Sequence, residues 1–239
     1  MPTIYNELTQ ALNDLSDSER AKGQQRYFKT GKGEYGANDI FIGVKVPDLR
    51  QVAKAFYKKA DDTTLSKLIQ HSIHEYRLTA LLILVHQYQK AKLLDKRKQL
   101  IDFYIQHKAY INNWDLVDSS THKIIAPYVH ETGQWSLLET LAGEENMWSK
   151  RIAVVALWTL WKEGYVKEGL TLILKNLEHP HDLMHKANGW MLRELGNKNE
   201  AAMLGFLQEH YNKIPRTTLR YAIEKLDETQ RKQILKGQF

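Results

Sequence analysis

The sequence predicts an all-α chain, and three observations lead there. Apolar residues recur at helical spacing along almost every segment. Helix starts recur near Pro47, His74, Asn112, Asn146, Asp182 and Pro215, roughly 27 to 38 residues apart. The one alternating run, Ile40, Ile42, Val44 and Val46, is a single extended piece, and one piece does not make a sheet. Each start opens a pair of amphipathic helices joined by a short polar turn, and such pairs stack to bury a shared core. The expected architecture is a right-handed α-solenoid of HEAT-like helical repeats with a concave basic face. It forms one domain over 1–239, with an N-terminal helical cap over 1–45 and about six helix pairs over 46–239. An irregular helical bundle is the competing topology.

The elements follow in order. The cap opens with Ile4, Leu8, Ala11, Leu12 and Leu15 on one helical face. The Gly-rich segment 31–43 breaks that period and reads as a long surface loop. Within 30–44, Lys32, Glu34 and Tyr35 either reach a ligand or belong to a plain connection. After Pro47, at a first-turn position, Leu49, Val52, Ala53 and Phe56 resume the helical face. A later pair runs through Met147, Trp148, Arg151, Ile152, Val155 and Trp158, then past Gly164 into Val166, Leu170, Ile173 and Leu177. The next repeats the plan with Leu183, Ala187, Trp190 and Met191, then Leu204, Leu207 and Tyr211. No Pro-rich, Ser-rich or single-sign charge run marks a linker.

Composition narrows the function classes. Hydrophobic residues make up 43% of the 239, enough for a substantial core. Lys and Arg exceed Asp and Glu by 34 to 28, a formal +6 that leans toward an anionic partner such as nucleic acid. Cysteine is absent, which excludes disulfides, a thiol nucleophile and a Cys-based zinc site. The N-terminus lacks the basic segment and apolar run of a signal peptide, and no stretch approaches the ~20 apolar residues of a membrane span. The expected location is the bacterial cytoplasm, near the nucleoid, with no membrane contact.

The richest stretch is Asn113-Trp114-Asp115-Leu116-Val117-Asp118. Trp114 and Asp118 stand at i and i+4, so one helix face carries an indole beside a carboxylate. An aromatic face attracts cations and an anion stabilises developing positive charge, so the pair suits a cationic substrate or transition state. For an isolated pair, a solvated or ion-paired Asp is the commoner outcome. Asp115 points about 100° away from Trp114 around the helix, better placed to accept a hydrogen bond within the first turn. Trp148 with Arg151 and Trp190 with Arg193 are similar pairs. Each of these indoles also suits the core, and Trp158 and Trp161, among Val155, Leu157 and Leu160, read as core outright. Trp190 is preceded by Asn188 and Gly189, and the small residue leaves room for something to approach.

Lys150 and Arg151, in the opening turns of a helix, suit a phosphate. Lys186, Arg193, Arg216 and Arg220 extend the same basic stripe if the repeats stack, although each is equally an ordinary surface cation. His179, His181 and His185 form an H-x-H-x-x-x-H cluster, but the H-E-x-x-H pattern is missing and no metal is expected. Gly31-Lys32-Gly33 lacks the G-K-[ST] ending of a nucleotide-binding loop.

These residues together resemble the AlkD family of DNA alkylation repair proteins, bacterial DNA glycosylases built from HEAT-like repeats. The resemblance spans about 27–226 and rests on Phe41-Ile42-Gly43-Val44-Lys45-Val46-Pro47-Asp48-Leu49-Arg50, Trp114-Asp115-Leu116-Val117-Asp118, Trp148-Ser149-Lys150-Arg151, Gly189-Trp190-Met191-Leu192-Arg193-Glu194 and the run from Pro215 to Lys225. It implies an enzyme that excises N3-alkyladenine and N7-alkylguanine from double-stranded DNA without base flipping. The chemistry needs no Lys nucleophile, so a monofunctional, cofactor-free enzyme is expected, and a groove built from one chain's repeats needs no second copy, so a monomer is expected. The resemblance further implies that Trp114 and Trp190 flank the lesion's sugar and backbone, that Asp118 is the catalytic carboxylate, that Arg151 holds the DNA backbone and that Tyr27 lines the groove. The alternatives are a non-catalytic scaffold that binds distorted or branched DNA, and a protein-binding helical scaffold.

Overall fold

The computed structural model describes residues 2–239. Among them the regular structure is helical: α1 (Ile4–Asn13), α2 (Ser18–Tyr27), α3 (Val46–Phe56), α4 (Asp62–Ile69), α5 (His74–Lys90), α6 (Leu94–Gln106), α7 (Trp114–Thr132), α8 (Ser136–Gly143), α9 (Met147–Leu160), α10 (Val166–Lys175), α11 (Asp182–Gly196), α12 (Glu200–His210), α13 (Arg216–Ala222) and α14 (Glu228–Ile234). The six helix starts read from the sequence fall at or within two residues of α3, α5, α7, α9, α11 and α13. Side chains explain several of these starts. Pro47 sits in the first turn of α3, and Asp17, Asp61, Asn146, Asn199 and Asp227 each accept a first-turn amide. No helix among the described residues is long and apolar enough to cross a membrane.

The chain divides into two compact units, up to residue 124 and from residue 125, and the division falls inside α7. In the first unit α5 is the core element, buried from His74 through Val85, with α3, α4 and α6 packed on it. A helix buried on all sides carries its polar residues inward, so His74, Glu75, Arg77 and Thr79 all need partners. In the second unit α9 has the same place, with α8, α10 and α11 packed against it and α12 and α13 against α11.

The segment 31–43 departs from the surface loop that its glycines suggest. Lys32, Gly33 and Glu34 are exposed, but Asp39, Phe41, Gly43 and Val44 are buried. Ile40 pairs with Ile73 in an isolated parallel bridge, and the backbone amides of Ile42 and Gly43 donate to the Glu75 carboxylate at 3.1 and 2.8 Å. Gly43 holds φ at 84°, and a Cβ there would meet the Asp17 carbonyl oxygen at 2.0 Å. The second half of the segment is therefore a strap pinned to α5 and to the start of α2. Of the alternating run Ile40, Ile42, Val44 and Val46, only Val44 is buried.

Candidate functional site

The first turn of α7 presents Trp114 on an aromatic stack. Its indole lies over Phe28 at 5.2 Å and 12°, and Phe28 in turn stacks on Phe41 at 4.8 Å and 23°. Tyr27, the last residue of α2 and 68% exposed, meets the indole edge-on at 5.9 Å. Asn113 fixes the entry to the helix by accepting the Trp114 backbone amide at 2.8 Å. Trp114 and Tyr27 are thus brought together, and Asp118 follows one turn along α7, half-buried. Its charge reaches the Tyr104 hydroxyl, which burial pushes up to about 12 despite hydrogen bonds to Ser120 and Thr121.

Beneath the stack lies a buried charge network. The His74 ring donates from Nδ1 to Asp39 Oδ2 at 3.0 Å and from Nε2 to Asp115 Oδ2 at 2.7 Å. Asp39 also accepts from Arg77 at 2.5 Å and from the Asn113 amide at 2.8 Å. Burial alone would depress the basicity of His74, but the Asp115 charge and the two carboxylate hydrogen bonds outweigh it and raise the ring to about 9. Burial pushes Asp39 upward, and the His74 and Asn113 hydrogen bonds together with the Arg77 charge bring it below its ordinary value. Phe41 stacks on the His74 ring at 4.5 Å, so charge and aromatic layers share a wall.

Asp115 therefore does not serve the first turn of its own helix. Its carboxylate ties α7 to α5, forty-one residues away in sequence.

In the second unit, Trp190 is half-buried, tilted against Trp158 at 5.1 Å, and its indole N–H donates to Glu194 at 3.1 Å. The room expected beside it is taken by α13: a Cβ on Gly189 would meet the Thr218 carbonyl oxygen and the Tyr221 Cβ, both at 2.5 Å. Asn188 is buried and donates to the Asn176 carbonyl. Arg193 pairs with Glu224 and with Glu194, and Lys186 pairs with Asp182 at 2.8 Å. Arg216 donates to the Leu235 carbonyl at 2.8 Å, while Arg220 is exposed.

Arg151 is buried, and its guanidinium donates to the Leu183 carbonyl at 2.5 Å. Lys150 beside it is half-buried. The histidine cluster builds the start of α11: His181 accepts from Leu183 N, His179 accepts from His181 N, and His185 bonds the His179 carbonyl.

Phe28, Phe41, His74, Asp39 and Arg77 escaped the sequence reading as site residues. Phe28 was legible as the neighbour of Tyr27. The partners of His74 lie 35 and 41 residues off, and no local pattern announces such a contact.

The sequence profile of a family described as "DNA alkylation repair enzyme" matches residues 8–226. No curated protein matches the sequence. Among solved structures, the chain is similar to one described as "Predicted DNA alkylation repair enzyme from Enterococcus faecalis", with a TM-score of 0.69 and 20% identity over 89% of this chain and 97% of that one. At that identity the likeness bears on the fold alone, and the fold class is the all-α solenoid of helical repeats that the spacing of helix starts predicts.

Proposed function

The chain belongs to the DNA alkylation repair enzyme family, and on that premise we propose that it is a monofunctional, metal-free glycosylase hydrolysing the N-glycosidic bond of positively charged alkylated purines in duplex DNA. An N3-alkyladenine or N7-alkylguanine departs as a neutral base, so no strong proton donor is required. The barrier lies in positive charge that builds on the deoxyribose as the bond breaks. The Asp118 carboxylate stabilises that oxocarbenium-like state and orients the attacking water. Trp114, backed by Phe28, and the exposed Tyr27 give a cationic nucleotide an aromatic wall rather than a closed base pocket. Of the cations singled out for the backbone, Lys150 and Arg220 are favoured, because Lys186, Arg193 and Arg216 have partners within the chain and Arg151 holds the Leu183 carbonyl.

One observation carries the choice of acid. Asp118 stands half-buried one turn beyond Trp114 on the same face of α7, whereas the Asp115 carboxylate turns beneath the stack to His74. The test is release of 7-methylguanine from methylated duplex by the wild type and by Asp118→Asn. The variant keeps duplex affinity and loses about 100-fold or more in rate. Equal release by the two proteins removes Asp118 from the chemistry, and binding without release by the wild type makes the chain a non-catalytic reader of DNA.

A further inference from the structure

A second site lies in the first unit. A cavity of about 290 Å³ opens between α3, α5 and α7, with Leu82 and Val85 as its floor and the Gln51 and Gln89 amides at its sides. Its remaining lining residues are Arg50, Lys54, His86 and Lys123, and none of the described residues that line it is acidic. By contrast, Lys98 and Lys22 have counter-ions in Asp102 and Glu19. Here the charges act against one another. Burial and the Arg50 guanidinium both hold Lys123 below the usual lysine range. Burial, then Lys54, Lys123 and Lys90, hold His86 below its ordinary value, with the Tyr57 ring 5.4 Å away on its other contact.

A gathering of like charge around a shared hollow is unfavourable in the empty protein and becomes favourable when an anion enters. We propose that Arg50, Lys54, His86 and Lys123 form a phosphate subsite that grips the backbone of duplex DNA. The geometry separates it from the Trp114 and Asp118 face. Lys123 is five residues beyond Asp118, about 140° around α7 and about 7.5 Å along it. Arg50 and Lys54 stand one turn apart on the exposed side of α3, a row of cations that suits a polyanion passing over it more than one small ion. The Arg50 fork and the two ammonium groups donate to phosphate oxygens, and His86 takes up a proton as the anion arrives. The identity of the anion rests on the reading of the chain as an enzyme of duplex DNA; the existence of the site does not.

The experiment follows the His86 ring by NMR titration in the full chain, alone, with a short unmodified duplex, and with inorganic phosphate at matched ionic strength. The duplex raises the His86 pKa by about one unit or more. In the Lys54→Gln, Lys123→Gln double variant that rise disappears, and the salt dependence of duplex binding falls by about one per lysine removed. Lys98→Gln, which removes an exposed ion pair with Asp102 on α6, leaves both unchanged. The double variant unfolds at the same or a higher temperature, because repulsion is relieved; a drop in stability with an unchanged salt slope makes these lysines structural and overturns the proposal. An unmoved His86 in the presence of duplex also overturns it, as does an equal shift with inorganic phosphate when the salt slope of the variant is unchanged. Because the duplex carries no lesion, a failure of base excision leaves this result standing, and a failure here leaves the role of Asp118 untouched.

Discussion

In sequence the first turn of α7 and the second half of α11 look alike: Trp114 with Asp118, and Trp190 with Arg193, each an indole with a charge about one turn on. Their surroundings differ in kind. Below Trp114, Asp39, His74, Arg77 and Asp115 answer one another inside the protein, and an aromatic stack carries the indole. Around Trp190 the charges close on the indole itself and on each other: Glu194 takes the ring N–H, Arg193 takes Glu194 and Glu224, and α13 fills the space beside Gly189. An indole beside a charge is a pattern within one helix; what that charge does is decided by other helices. The comparison makes α7 a built platform and α11 a closed joint, and each can be attacked separately.

The largest expected effect is on the platform. Asp115→Ala takes from the buried His74 ring the larger of its two carboxylate supports and leaves only Asp39, and breaking a buried pair in this way costs about 3 to 5 kcal/mol. Glu194→Ala breaks a partly exposed pair on α11 and costs about 1 kcal/mol or less. Urea unfolding of the two variants checks the contrast, and equal losses would erase the distinction. The same network sets a pH dependence. His74 is raised from 6.5 to about 9 in the folded chain, so its contribution to stability is complete below about 6.5 and is lost as pH climbs through about 9. The wild type therefore weakens across that window, and Asp115→Ala flattens the slope. A wild-type stability that stays level from neutral to alkaline pH contradicts a charged His74.

That contrast also marks how far the sequence can be read. Helix starts were legible because first-turn proline and apolar periodicity are local, and Pro47 sits where its missing N–H costs nothing. The Trp114 and Asp118 pair was legible for the same reason, since both lie within two turns of one helix. Glu75 was not, although it pins the strap at Ile42 and Gly43, because a buried carboxylate at the start of an apolar helix looks like an ordinary first-turn acid. Arg193 and Arg50 show the limit for cations: one belongs to an ion pair and the other lines a hollow without acids, and composition treats them alike.

An intermediate effect belongs to the joint. Gly189→Ala drives a methyl into the backbone of α13, where the nearest atoms are a carbonyl oxygen and a Cβ rather than the end of a flexible side chain. Overpacking at such a contact costs about 1 to 3 kcal/mol. Gly205→Ala is the matched control, because a Cβ there meets nothing within 4 Å and helix propensity favours alanine. Thermal unfolding separates them: the first variant falls and the second holds or rises. A tolerated Gly189→Ala means that α11 and α13 can move apart, and Trp190 then regains the room that its sequence neighbours suggest.

The smallest effect concerns Arg193, and it bears on which cations meet DNA. Its guanidinium side chain is 20% exposed and already pairs with Glu224 and Glu194. A cation held by two carboxylates releases few counterions when a phosphate approaches, because its charge is largely compensated before binding. Arg193→Gln therefore leaves the salt slope of duplex binding unchanged, and it lowers stability by about 1 kcal/mol or less, as partly exposed pairs do. Arg220→Gln, from an exposed position on the next helix pair, lowers the slope by about one. Should Arg193→Gln lower it as much, the ion pairs of α11 open on binding, and the joint belongs to the DNA surface after all.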